Sequence, residues 1–119
     1  MTIAEIAALS GLSIDTIRFY EKEGLLPPIP RDGRGWRVFT PDAIDWLVTL
    51  GRLRRTGMPL ADMTAFARSA HGPDAETRAQ EIMRRNLLAA HAARLAGKRA
   101  DLDACAAYLA KKIAIYGKD

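Results

Sequence analysis

A single cysteine among 119 residues excludes an intramolecular disulfide framework and any cysteine-rich zinc site. Valine occurs only twice and aromatic residues make up 7% of the chain, so strand-rich folds are poorly supplied. No apolar run approaches the roughly 18 residues that a membrane-spanning helix needs. The opening Met1-Thr2-Ile3-Ala4-Glu5 also lacks the basic stretch of a secretory leader. These absences predict a cytoplasmic location and no membrane partner. Catalytic signatures are missing too: there is no nucleophile–base pair and no paired carboxylate, and Gly33-x-Gly35 falls in a turn instead of opening a helix. We therefore expect no cofactor and no enzyme. Neither charge sign dominates. The net charge is +4, divided as +1 over residues 1–60 and +3 over 61–119, so bulk charge alone does not point to nucleic acid.

What the sequence does hold is helix formers, with 21 Ala and 13 Leu. Every proline, and every glycine except Gly97, lies outside residues 74–116. That punctuation divides the chain into a front domain over 1–70, a long helix over 74–116 and a tail over 117–119.

The front opens with Thr2 and Glu5 at the spacing of a capping box, ahead of an apolar stripe of Ile3, Ile6 and Ala7. Ser10-Gly11-Leu12 breaks that helix, and Ser13 is a fresh N-cap before Ile14-Asp15-Thr16-Ile17. Two short helices around a Gly-bearing turn read as a helix-turn-helix, although a generic helical hairpin shares most of these cues. The second helix should stop at Gly24, and Pro27, Pro28 and Pro30 forbid helix beyond it. Arg31-Asp32-Gly33-Arg34-Gly35 followed by Trp36-Arg37-Val38-Phe39 reads as a small β-hairpin, a wing. Thr40-Pro41-Asp42 restarts helix, with Ile44, Leu47, Val48 and Leu50 facing inward. A fourth helix after Pro59 should bury Leu60, Met63, Phe66 and Ala67.

In the rear, Leu88, Leu95, Leu102, Leu109 and Tyr116 recur every seven residues, with Ala92, Arg99, Ala106 and Ile113 four places further on. A sustained heptad marks a coiled-coil seam. The front is too small to cover a helix of this length, so the expected partner is a second copy of the chain, held along Leu88, Leu95, Leu102, Ala106, Leu109 and Ile113. A helix folded back on its own head is the alternative. The whole is expected to be mostly α: a winged helix-turn-helix head followed by a long dimerisation helix.

In that order these features resemble the MerR family of bacterial transcription regulators. The residues that carry the resemblance are Ile3-Ala4-Glu5-Ile6-Ala7, Gly11-Leu12-Ser13, Thr16-Ile17-Arg18-Phe19-Tyr20-Glu21, Gly24-Leu25, Gly35-Trp36-Arg37-Val38-Phe39 and Gly57-Met58-Pro59-Leu60. The resemblance is close over 1–67. It implies a homodimer with an antiparallel coiled coil that sets two heads on a dyad in double-stranded promoter DNA. It further implies bending and untwisting of an overlong spacer, which realigns the elements that RNA polymerase reads. Excisionase-type architectural proteins share the winged head without the long coiled coil, and they are the other reading.

On this reading the first turn of the second helix, headed by Ser13, enters the major groove. Thr16 and Arg18 face outward there, and Arg18 is the candidate for a base or phosphate contact. A solvated surface arginine is the plain alternative. Tyr20 matches the family's phosphate-binding tyrosine, but its spacing also suits a core aromatic. In the wing, Arg31, Arg34, Trp36 and Arg37 would meet phosphate or the minor groove. Trp36 departs from the family's usual tyrosine and loses a hydroxyl. Arg54 and Arg55, at the end of the third helix, fit a secondary backbone contact.

Nothing points to metal. His71 and His91 lie 20 residues apart with no cysteine near either, and Thr77 and Lys112 stand where the family's metal sensors place ligands. No ligand domain is expected after the long helix. Cys105, flanking the seam, is either a small interface residue or a thiol switch.

Overall fold

A computed structural model describes residues 1–117; Lys118 and Asp119, and with them most of the expected tail, lie outside the described residues. Five helices follow in order: α1 (Ile3–Ser10), α2 (Ile14–Lys22), α3 (Pro41–Arg55), α4 (Leu60–His71) and α5 (Arg78–Tyr116). The chain divides into two compact units, Met1–Leu87 and the remainder from Leu88.

Local chemistry sets the helix ends of the first unit. Thr2 Oγ1 accepts from the Glu5 amide and Glu5 Oε1 accepts from the Thr2 amide, both at 3.1 Å, so two otherwise orphaned donors are satisfied at once. Gly11 ends α1 with φ +78°, a left-handed conformation that costs glycine little, and its amide donates to the Ala7 carbonyl at 2.9 Å. Ser13 Oγ caps α2 by accepting from the Thr16 amide at 3.1 Å. Thr40 Oγ1 does the same for α3 from the Ala43 amide at 3.2 Å, with Pro41 in the first turn.

The core of this unit gathers Ile6, Leu12, Ile17, Tyr20, Leu25, Leu26, Phe39, Leu47, Leu50, Met58, Met63 and Phe66. Each large side chain taken out of water contributes about 1.5–3 kcal/mol. Trp46 stacks on Phe66 with ring centroids 5.2 Å apart and meets His71 edge-on at 4.5 Å. Inside α3, Gly51 meets the end of α1 so closely that a Cβ there would lie 1.7 Å from the Ser10 carbonyl oxygen. Ser10 is itself buried, and its Oγ accepts from the Leu12 amide.

Three expectations need correction. Leu60 is not part of the core: 54% of it is exposed, because the first turn of α4 follows Pro59 at the surface. The long helix begins at Arg78 instead of Asp74. Pro73 and successive turn hydrogen bonds, Ala75 N to Gly72 O and Thr77 N to Asp74 O, hold the intervening residues out of helix, and Thr77 Oγ1 then accepts from the Gln80 amide. Arg84 fastens this segment by donating to the Ser69 and Ala75 carbonyls.

The wing is the third. A full β-hairpin is not shown: the two arms pair at one antiparallel bridge, Arg31 with Arg37, flanked by hydrogen bonds from Asp32 N to Trp36 O at 2.9 Å and from Val38 N to Pro30 O at 2.8 Å, and no strand occurs among the described residues. Pro28 and Pro30 remove ladder donors from the first arm. The Asp32 carboxylate then takes the Arg34 and Trp36 amides at 2.8 and 3.1 Å, closing a side-chain turn at the tip.

The second unit continues α5, which has 39 residues and so spans about 58 Å at 1.5 Å per residue. His91 is its one buried residue. Leu88, Leu95, Leu102, Ala106, Leu109, Ile113 and Tyr116 are all exposed, Leu102 at 70% and Ile113 at 69%.

Candidate nucleic-acid interface

Helix α2 organises the site. Ile17 and Tyr20 turn inward, which leaves Asp15, Arg18, Phe19 and Lys22 on the outer face. Ser13, exposed at the head of the helix, donates its hydroxyl to Thr16 Oγ1 at 2.8 Å while accepting the Thr16 amide. The two side chains therefore hold one another and stiffen the first turn. Arg18 is exposed and makes no hydrogen bond or ion pair among the described residues, so its guanidinium is available to a partner. Phe19, next in sequence, presents a ring 48% exposed.

Tyr20 is placed differently from the other candidates. It has no accessible surface and belongs to the core, so it is an inward-facing aromatic in this structure and does not present its hydroxyl to solvent. The hydroxyl is buried without a hydrogen-bond partner of good geometry, although the Thr64 hydroxyl is near enough to act on it. Burial pushes the phenol above its ordinary pKa, and Thr64 and the Arg54 guanidinium oppose that rise.

The remaining candidate arginines form three sets, two of which meet α2 or the turn before it. Glu21 takes the first: Arg37 Nε donates to both of its carboxylate oxygens at 3.0 and 3.1 Å, Arg37 Nη2 lies 2.9 Å from Oε1, and Arg31 Nη2 is 3.7 Å away. Arg34 forms the second, at the tip of the 31–37 loop. It lies 3.4 Å from Asp32 and 4.3 Å over the ring of Trp36, itself 57% exposed. The Asp32 carboxyl is held below its usual range by the Trp36 and Arg34 amides, so it stays ionised. The third is the end of α3. Arg54 acts on Tyr20, and Arg55 lies over the α1–α2 turn, its Nη2 3.6 Å from where a Gly11 side chain would begin. Between the Met1–Ile3 segment and the 31–37 loop lies an open cleft of about 590 Å³, lined by Arg31, Arg34, Trp36 and Arg37 among others.

The structure thus places Ser13, Thr16 and Arg18 on or at the head of α2, with Arg31, Arg37, Arg54 and Arg55 against α2 or the turn before it, while Arg34 and Trp36 lie at the tip of the 31–37 loop beside the Met1–Ile3 segment. Sequence reasoning missed Glu21 as the partner of Arg31 and Arg37. A carboxylate three residues after Arg18 was visible, yet its partners are 10 and 16 residues away and carry no local signature.

No group of three or more His, Cys, Asp or Glu side chains that could hold a metal occurs among the described residues. The His71 ring is occupied with Trp46, and its Nε2 is buried without a partner. Cys105 is a free, exposed thiol on α5.

Two helices packed around a capped turn, the second ringed by arginines, define a helix-turn-helix head. The chain belongs to the MerR HTH family of regulatory proteins, whose sequence profile matches residues 1–69. An uncharacterized HTH-type transcriptional regulator of Haemophilus influenzae is 48% identical over 66 residues, 56% of this chain and 49% of that protein. The transcriptional regulator CueR of Vibrio cholerae is 36% identical over 74 residues, 62% of this chain and 53% of CueR. The matched region therefore spans about half the length of these curated relatives. Among solved structures, HiNmlR, a MerR family regulator lacking the sensor domain and bound to promoter DNA, superposes with a TM-score of 0.76 at 36% identity. That match covers 99% of this chain and 86% of HiNmlR. A MerR family transcriptional regulator from Bacillus thuringiensis gives 0.72 at 28% identity, with 98% of each chain covered.

Proposed function

We propose that this chain is a sequence-specific DNA-binding transcription regulator that acts in the cytoplasm as a homodimer on a dyad promoter element. The observation that carries this reading is the capped and exposed first turn of α2, with Arg18 on its outer face and Arg54 and Arg55 beside it. A cluster of guanidiniums beside an exposed helix N-terminus is suited to a polyanion. Likeness to a promoter-bound regulator that lacks a sensor domain supports the same reading.

The apolar side chains Leu88, Leu95, Leu102, Leu109 and Ile113, exposed at heptad spacing, support a partner helix along α5. A second copy supplies a matching seam and sets two heads at a fixed separation, which a dyad operator mirrors. In this scheme Ser13 and Thr16 order the first turn and Arg18 reads base edges. Arg34, Trp36, Arg54 and Arg55 meet the sugar-phosphate backbone on either side. The dimer then deforms the spacer, and RNA polymerase meets recognition elements brought into register.

Selection from fragmented genomic DNA, followed by footprinting, tests this. A dyad should be enriched, with binding that weakens steeply as salt rises. Recovery of no common palindrome at any salt concentration would sink the reading.

A further inference from the structure

We propose that Arg37 is a strut and not a phosphate ligand, and that Glu21 is the positioning residue that fixes the 31–37 loop against α2; this rests on the DNA-binding function proposed above. Arg37 is the least exposed of the loop arginines, with 20% of its side chain accessible against 49% for Arg31 and 71% for Arg34. Its Nε is shared between both Glu21 oxygens while Nη2 sits 2.9 Å from Oε1, so the Nε–Nη2 edge of the guanidinium is directed at the carboxylate. Glu21 is equally withdrawn, at 25%.

Drawing Arg37 away to a phosphate would strip a half-buried carboxylate of its chief counterion and turn it toward the anionic backbone. The geometry favours the opposite arrangement. Arg37 also forms the single bridge to Arg31, so the Glu21 clamp holds both arms of the loop at their base. With the base fixed, the tip carrying Arg34 and Trp36 is set at a constant reach from Arg18 on the same helix as Glu21. The loop's own pairing is short, with one bridge flanked by the Asp32 N–Trp36 O and Val38 N–Pro30 O hydrogen bonds, and the Glu21 pairs tie that short ribbon to α2.

The test uses the full chain and operator DNA recovered by selection. Affinity is measured from low to high potassium chloride for wild type, Arg34→Gln, Arg37→Gln, Arg37→Lys and Glu21→Gln. A phosphate contact contributes about 0.9 to the slope of log affinity against log salt. Arg34→Gln should lose that increment, while Arg37→Gln keeps the wild-type slope and binds on the order of 10-fold more weakly at every salt concentration. Arg37→Lys should lose as much as Arg37→Gln, since an ammonium cannot reproduce the fork, whereas at a phosphate it would substitute well. Glu21→Gln should lower the ratio of operator to scrambled-sequence affinity.

A fall of about 0.9 in the Arg37→Gln slope overturns the proposal. So does wild-type affinity in Arg37→Lys, or an unchanged ratio in Glu21→Gln. Circular dichroism establishes folding first, and if Arg37→Gln does not fold, Arg37→Lys carries the comparison. Should wild type itself bind no selected DNA, the functional reading fails. The strut is then judged by thermal melts of Arg37→Lys, Glu21→Gln and their combination, where purely additive losses refute it.

Discussion

Gly51 and Ser10 meet backbone to backbone: a Cβ on Gly51 would stand 1.7 Å from the Ser10 carbonyl oxygen. No side chain can be accommodated there, so α3 crosses the end of α1 at a separation that only glycine permits. The crossing fixes where the α1–α2 turn lies relative to the arginines that end α3.

In an exposed helix interior, Gly→Ala is ordinarily favourable by up to about 1 kcal/mol. At residue 51 the sign should invert. Gly51→Ala should destabilise the head by about 2–3 kcal/mol, because overpacking against backbone cannot be relieved by a rotamer change. Urea denaturation followed by circular dichroism measures it, and an unchanged or raised midpoint would show that the helices can separate at no cost.

Acid should loosen the α4–α5 connection before any carboxylate titrates. Burial, reinforced by the Arg84 charge, holds the His71 imidazole below its ordinary pKa; burial, with Arg94 and Lys98, does the same for His91. Arg94 Nη1 lies 2.6 Å from His91 Nδ1 and can donate only while that nitrogen is unprotonated. Because both folded-state values are depressed, the unfolded chain takes up protons first as pH falls. The stabilisation is complete above the usual histidine range, near 6.5, and drains away as pH drops through it toward the folded values. Denaturant midpoints at pH 7.5 and 5.5 should differ, with a smaller difference in His71→Gln. Identical midpoints in wild type would refute the assignment.

Charge placed in the α5 seam should separate the protomers. Leu102→Glu combined with Leu109→Glu would set carboxylates on both sides of an apolar contact, where burial of an unpaired charge is costly. Light scattering should report a dimer for wild type and a monomer for the double variant. A wild-type monomer at micromolar concentration would remove the basis for two-headed binding.

Arg18 and Arg54 should fail in different ways. Arg18→Ala should cost about 1–3 kcal/mol at the bases it reads and relax preference there. Arg54→Ala should weaken binding to all sequences alike and reduce the salt slope by about one. Binding to a set of single-base operator variants separates the two. Uniform weakening by Arg18→Ala would move that residue to the phosphate backbone.

Much of the head was legible because its signals are local. The Thr2–Glu5 box, the Ser13 cap and the Thr40-Pro41 start each act within three or four residues, and the structure uses every one. What was illegible is non-local. Nothing in the sequence around Gly51 reveals that the Ser10 carbonyl arrives there, and Glu21 shows no sign of Arg37, 16 residues on. Tyr20 was open between a core and a surface role because helix periodicity fixes a direction but not how deep the neighbours reach. How far the two arms of the 31–37 loop pair is likewise not written locally: the pairing stops at one bridge, with the tip closed by the Asp32 side chain.

The distal part of α5 has a thermodynamic consequence. A helix that buries nothing of its own beyond His91 has little to oppose its conformational entropy except intrinsic propensity. Its order then belongs to the population more than to the single molecule. With a partner supplying the missing burial, the rod's melting temperature climbs with protein concentration, while the head, closed around its own core, melts at a temperature independent of it. Calorimetry across a dilution series should resolve two transitions, of which only one moves.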